Sequence, residues 1–115
     1  MLFRSSNEQL SELYAAARAF AFLSEYEGLG TTPLEALAAA VPPVVADTEV
    51  ARETYGDAAL YVPVGDIVRA AEALELALFD EATRARIRAA APVTLAKFDW
   101  ARAARETLAV LVNAF

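Results

Sequence analysis

The sequence predicts an α/β fold: half of a Rossmann-like domain, with a short parallel sheet of three to four strands flanked by helices and a helical C-terminal tail. Three observations predict it. Short, wholly apolar runs recur at Ala19–Leu23, Val44-Val45-Ala46 and Ala59–Val62, as in strands buried on both faces. Segments read as helical alternate with these runs, in the order strand-helix-strand-helix-strand-helix. From Ile67 onward the pattern is helical, with no further strand.

Taken in order, Met1-Leu2-Phe3 could be the tail of a strand. Ser6-x-x-Gln9 reads as a capping box. The helix after it puts Leu10, Leu13, Tyr14 and Ala17 on one face. Ala19–Leu23 is the first full strand. Pro33 to Ala40 is a short apolar helix, stopped by Val41-Pro42-Pro43, and Val44-Val45-Ala46 is the next strand, since prolines fit only at a strand's start. Asp47 to Tyr55 is a polar loop leading into a short helix that Gly56 ends. Ala59–Val62 is the third strand. Asp66 caps a helix from Ile67 to Phe79 with Ala70, Ala71, Leu74 and Leu78 inward. Asp80 caps the next, Glu81 to about Lys97, which Pro92 should kink or split. Arg84, Arg86 and Arg88 read as a solvated face beside Glu81. Asp99 caps the last helix, Trp100 to about Ala114, with Ala104, Leu108 and Leu111 inward. Tyr14, Tyr61 and Trp100 read as core.

Composition narrows the chemistry. A chain of 115 residues suffices for one core, and 57 % apolar residues exclude a disordered chain. Alanine fills 28 positions, which favours close-packed helices. With no cysteine there are no disulfides or thiolate metal sites. With no histidine, the commonest general base and metal ligand are missing, and no metal site is expected. The net charge is −6 and Lys97 is the one lysine, so no nucleic-acid footprint is expected. No apolar run nears the roughly 20 residues that span a bilayer, and no signal-peptide pattern precedes the fold. A cytoplasmic location is the expectation.

The stretch that organises the chain is Ser24 to Leu37, S-E-Y-E-G-L-G-T-T-P-L-E-A-L. It reads as strand, glycine-bearing loop, helix start. Thr32 stands at the predicted N-cap, Pro33 at the first helical position and Glu35 three residues after the cap, a capping box. Loops at the carboxyl ends of parallel strands carry ligands, and free N–H groups there suit a phosphate. For Glu35 the sequence leaves two roles open, bonding back to the Thr32 N–H or binding a ligand. Glu27 has no such structural task and is the better functional candidate. Asp47, Thr48 and Glu49, at a strand end, are weaker candidates, and Glu25 reads as a solvated neighbour. Two carboxylates also fit a glycosidase, but adjacent glycines at a helix start suit phosphate better.

At Glu27-Gly28-Leu29-Gly30 and Pro33-Leu34-Glu35-Ala36-Leu37 the sequence resembles the retaining glycosyltransferases of family four, of GT-B architecture. Their signature pairs two glutamates with seven residues between them, as Glu27 and Glu35 are here. Leu13-Tyr14-Ala15-Ala16-Ala17, Gly56-Asp57-Ala58-Ala59 with Leu60-Tyr61-Val62, and Phe98-Asp99-Trp100 resemble further motifs of that family, in family order. The resemblance implies transfer of a sugar from a nucleotide-diphosphate sugar, with no other cofactor. It implies that Glu35 bonds the donor's ribose hydroxyls, that the backbone N–H groups of Gly28, Leu29, Gly30 and Thr31 approach the diphosphate and the sugar, and that Glu27 faces the transferred sugar. Thr31 stands where the family has leucine. Ala40 stands where it has a glycine, a position of left-handed backbone that would cost alanine roughly 1 kcal/mol.

On this resemblance, residues 1–115 are expected to be a single partial domain, the second half of a donor domain. The N-terminal acceptor domain and the basic residues that hold the diphosphate would lie outside it. In a 3-2-1-4-5-6 sheet, Ala19–Leu23 would then be an apolar edge, prone to pair with a second copy of the chain. The chain alone is expected to be inactive. The competing expectation is a non-catalytic α/β assembly module.

Overall fold

The computed structural model describes residues 5–114; the expectation for Met1-Leu2-Phe3 lies outside them. The elements run α1 (Asn7–Ala16), β1 (Phe20–Phe22), α2 (Thr32–Ala38), β2 (Pro43–Ala46), α3 (Glu49–Tyr55), β3 (Leu60–Val62), α4 (Ile67–Phe79), α5 (Glu81–Leu95) and α6 (Trp100–Ala114). The three strands form one parallel sheet in the order β1-β2-β3. Ala21 lies opposite Val44, and Val45 opposite Tyr61.

Every residue of β2 is buried, as a strand covered on both faces must be. Its neighbours Val44 and Val45 point to opposite faces. Val45 joins Leu34, Leu37, Ala51, Tyr55 and Ile87, contributed by α2, α3 and α5. Val44 joins Val62 and the small residues Ala73 and Ala77 of α4. Within the described residues β1 pairs with β2 alone, and it is half-buried rather than buried on both faces as its sequence implied.

The caps follow the sequence closely. Ser6 and Gln9 form the reciprocal capping box of α1. Thr48 caps α3, Asp66 α4 and Asp80 α5, each accepting a main-chain N–H three residues on. The Asp99 carboxylate accepts from Ala101 N–H at the start of α6. Helix α2 closes with the left-handed turn expected at Ala40, whose φ is +61°. Ala40 N–H donates to Leu37 O and Val41 N–H to Ala36 O, both at 2.9 Å, the paired bonds that end a helix in this conformation.

Several expectations are corrected. Thr32 is not the cap of α2: Thr31 is, through its carbonyl, with no side-chain bond, because the helix begins one residue earlier. Pro92 does not split α5. It lies in the last turn, where Thr94 Oγ1 donates to Tyr55 O at 3.1 Å and Ala91 and Thr94 are buried, and this packing holds the turn helical.

Arg84 is not on a solvated face. It is 7 % exposed, and its guanidinium donates to Arg18 O at 2.6 Å and to Ala77 O at the end of α4. Arg18 in turn donates to Leu78 O, and Glu81 lies within 3.6 Å of Arg18, Arg84 and Arg88. Buried carbonyls at a helix end need donors, and two arginines supply them here. Ala71 of α4 faces solvent; Ala73 takes the buried place instead.

The apolar face of α1 and the face of α6 read as inward are largely uncovered. Neither helix buries a residue, Leu13 is 58 % exposed, and Trp100, read as core, is 92 % exposed. Their apolar stripes were legible, but most of each stripe faces solvent; among the described residues of α1, Tyr14 alone makes a ring contact, with Phe20 at 5.9 Å. No helix among those residues is long and apolar enough to cross a membrane.

Candidate functional site

The sheet's carboxyl edge delivers the chain from β1 into the loop Leu23–Thr31. Two bonds shape its first half. Ser24 Oγ donates to Glu27 Oε1 at 2.7 Å and lies 3.4 Å from Tyr26 O. The Glu27 carboxylate is thus exposed yet oriented. Its charge also acts on Tyr55: burial chiefly, and then Glu27, push the Tyr55 hydroxyl up to about 12. Tyr26, at the loop's tip, is 92 % exposed.

The second half is held from α3. Tyr55, the last residue of that helix, donates its hydroxyl to Gly30 O at 2.6 Å. Thr54 Oγ1 donates to Leu29 O at 3.2 Å. Gly30 has φ +72°, and a Cβ there would collide with the Tyr55 hydroxyl. Both the conformation and the close approach demand glycine. Gly28 carries no such demand, since a Cβ there would meet nothing within 4 Å.

Glu35 lies on the exposed side of α2. It does not turn back to the Thr32 N–H. Its Oε2 accepts from Tyr14 Oη at 3.2 Å, tying α1 to α2. Burial first, then the bond and charge of Glu35, hold the Tyr14 phenol above its ordinary value. Glu27 and Glu35 thus stand on either side of the Gly30 turn, each held by a hydroxyl.

The space around the loop is uneven. The cleft bounded by Glu27, Thr48 and Tyr55 holds only about 10 Å³ and is essentially filled. Beyond Leu29, Thr31 and Leu34 a groove of about 330 Å³ opens toward Lys97, Trp100 and Arg102. A second cavity, of about 290 Å³, lies on the other flank, between Leu23 and Glu25 of the loop and Ala46, Val62 and Gly65 at the strand ends.

Two of the three weaker candidates, Asp47 and Thr48, have structural tasks. Asp47 pairs twice with Arg52, at 2.7 and 2.9 Å, which holds its carboxyl below the usual range, and Thr48 is a cap. Arg52 also lies 3.9 Å over the Tyr61 ring. Among the described residues no group of three or more acidic side chains could hold a metal.

Sequence reasoning missed Ser24, Thr54 and Tyr55. A buried phenol needs a hydrogen-bond partner, which marks Tyr55 as a residue with a task. No local spacing shows that the partner lies 25 residues back.

Fold and loop together define a class: a Rossmann-like parallel α/β unit whose strand-to-helix turn carries oriented carboxylates. Residues 1–94 match the family model of glycosyl transferases group 1, and the chain belongs to that family. Over 61 residues, 53 % of its length, it is 43 % identical to the O-antigen chain mannosyltransferase B of Escherichia coli. The matched stretch is 16 % of that relative's length.

Proposed function

We propose that this chain forms the donor-side half of a retaining glycosyltransferase that uses a nucleotide-diphosphate sugar. The observation that carries the reading is the loop from β1 to α2: Glu27 is oriented by Ser24 and Gly30 pinned by Tyr55, in a chain of the glycosyl transferases group 1 family. Glu35 bonds the donor's ribose hydroxyls. The amides of Gly28 to Thr31 approach the diphosphate and sugar, and Glu27 faces the sugar being moved. In transfer, an acceptor hydroxyl oxygen bonds to the anomeric carbon on the face from which the diphosphate leaves, the bond from that carbon to the diphosphate breaks, the nucleoside diphosphate leaves with the electron pair, and the hydroxyl proton passes to the departing phosphate oxygen. Amide donors aimed at the departing phosphate stabilise charge where it grows. The name of the E. coli relative makes mannose the first sugar to try.

The reading is tested by calorimetric titration of the chain with GDP-mannose and UDP-glucose. One of them should bind, and Glu35→Gln should weaken that binding about tenfold or more, the usual effect of losing a bond to a charged group. Equal affinity in the variant would remove Glu35 from the site.

We infer also that this chain binds donor without transferring sugar. The cleft beside Glu27 holds only about 10 Å³, too little for an acceptor to be positioned against the donor. Sugar transfer by the purified chain would refute this.

A further inference from the structure

The groups that fix Leu29 and Gly30 lie on α3, outside the loop itself. Each holds a carbonyl. In a trans peptide unit the C=O and N–H point to opposite sides. With Leu29 O turned to Thr54 and Gly30 O turned to Tyr55, the N–H groups of Gly30 and Thr31 are turned away from α3. Among the described residues, neither N–H donates to a protein acceptor.

The holding groups are themselves braced. The Tyr55 side chain is buried among Leu34, Leu37, Val45 and Ile87. Its main-chain carbonyl accepts from Thr94 Oγ1 of α5. Lys97 Nζ donates to Glu53 O, two residues before Tyr55. The phenol's high pKa keeps it a donor through the neutral range.

We propose that Thr54 and Tyr55 are positioning residues for sugar transfer: by seizing two successive carbonyls they aim the Gly30 and Thr31 amides at the donor. The proposal rests on the donor-loop reading above. It goes further by assigning the loop's geometry to two residues of another element. A merely structural role would leave the amides' direction, and donor affinity, indifferent to the two hydroxyls.

The variants Tyr55→Phe and Thr54→Val keep shape and burial and delete only the hydroxyls. In amide proton–nitrogen NMR spectra of the unliganded chain, the Gly30 and Thr31 signals should shift in both. Affinity for whichever of GDP-mannose and UDP-glucose the wild-type chain binds should fall about three- to tenfold in each, the worth of one buried hydrogen bond. Thr54→Ser, which retains the hydroxyl, should restore both readouts. If the wild type binds while both variants keep its affinity and its Gly30 and Thr31 signals, the positioning role is overturned and the donor reading stands. If the wild-type chain binds neither sugar nucleotide, the donor reading falls, and the positioning role with it.

Discussion

Helices α5 and α6 have 15 residues each, and each carries an apolar stripe. They differ in what covers it. The stripe of α5 buries Arg84, Ile87, Ala91 and Thr94. The stripe of α6 buries nothing, and Trp100, Leu108, Leu111 and Val112 face solvent. Helix α6 is sustained locally, by the Asp99 cap, by alanines at many positions and by the Arg102–Glu106 pair at 3.7 Å, one turn apart. Periodicity thus specifies which face of a helix is apolar; it does not specify that the same chain supplies the cover.

The comparison can be broken by truncating one side chain in each helix. Ile87→Ala removes a fully buried side chain from the main core and should cost about 3 kcal/mol, read from urea unfolding. Leu108→Ala should stay within about 0.5 kcal/mol. A large loss at Leu108 would mean that α6 packs on something after all.

A smaller effect, of opposite sign, is expected at the turn between α2 and β2. Ala40 holds a left-handed backbone that glycine adopts freely. Ala40→Gly should raise stability by about 1 kcal/mol in the same unfolding curve. No gain would show that the surrounding bonds, not the residue type, set that φ.

The smallest contrast uses two caps of one kind. Thr48→Ala removes the cap of α3, which packs in the core, and should cost about 1 kcal/mol of global stability. Ser6→Ala removes the cap of α1, which buries nothing. It should lower helicity by circular dichroism without moving the unfolding midpoint. Equal shifts in the midpoint would erase the distinction between the two regions.

Much of the fold was legible because its signals are local. The three strands and the side-chain caps at Ser6, Asp66, Asp80 and Asp99 are each written within a few residues of where they act, whereas the left-handed turn at Ala40 was expected from the family resemblance alone. The loop carrying Glu27 and the Gly28-Leu29-Gly30 run was legible for the same reason. What escaped is non-local. The buried Arg84 answers carbonyls at Arg18 and Ala77, and nothing in the run Arg84, Arg86, Arg88 marks one member as inward. The Thr32 capping box failed by a single residue, and Glu35 found its partner in Tyr14, 21 positions back. Tyr55 and Thr54 reach carbonyls 25 positions away.

One residue separates α4 from α5. Asp80 ends the first helix, its N–H donating to Leu76 O, and begins the second, its carboxylate accepting from Thr83 N–H. The angular phase of α5 is therefore locked to that of α4. An inserted residue would turn α5 by about 100° about its axis. Ile87 would leave the hydrophobic cluster, and Arg84 would swing off the carbonyls it serves. This junction has no spare length to vary, so insertions and deletions should be tolerated elsewhere on the surface before they are tolerated at Asp80.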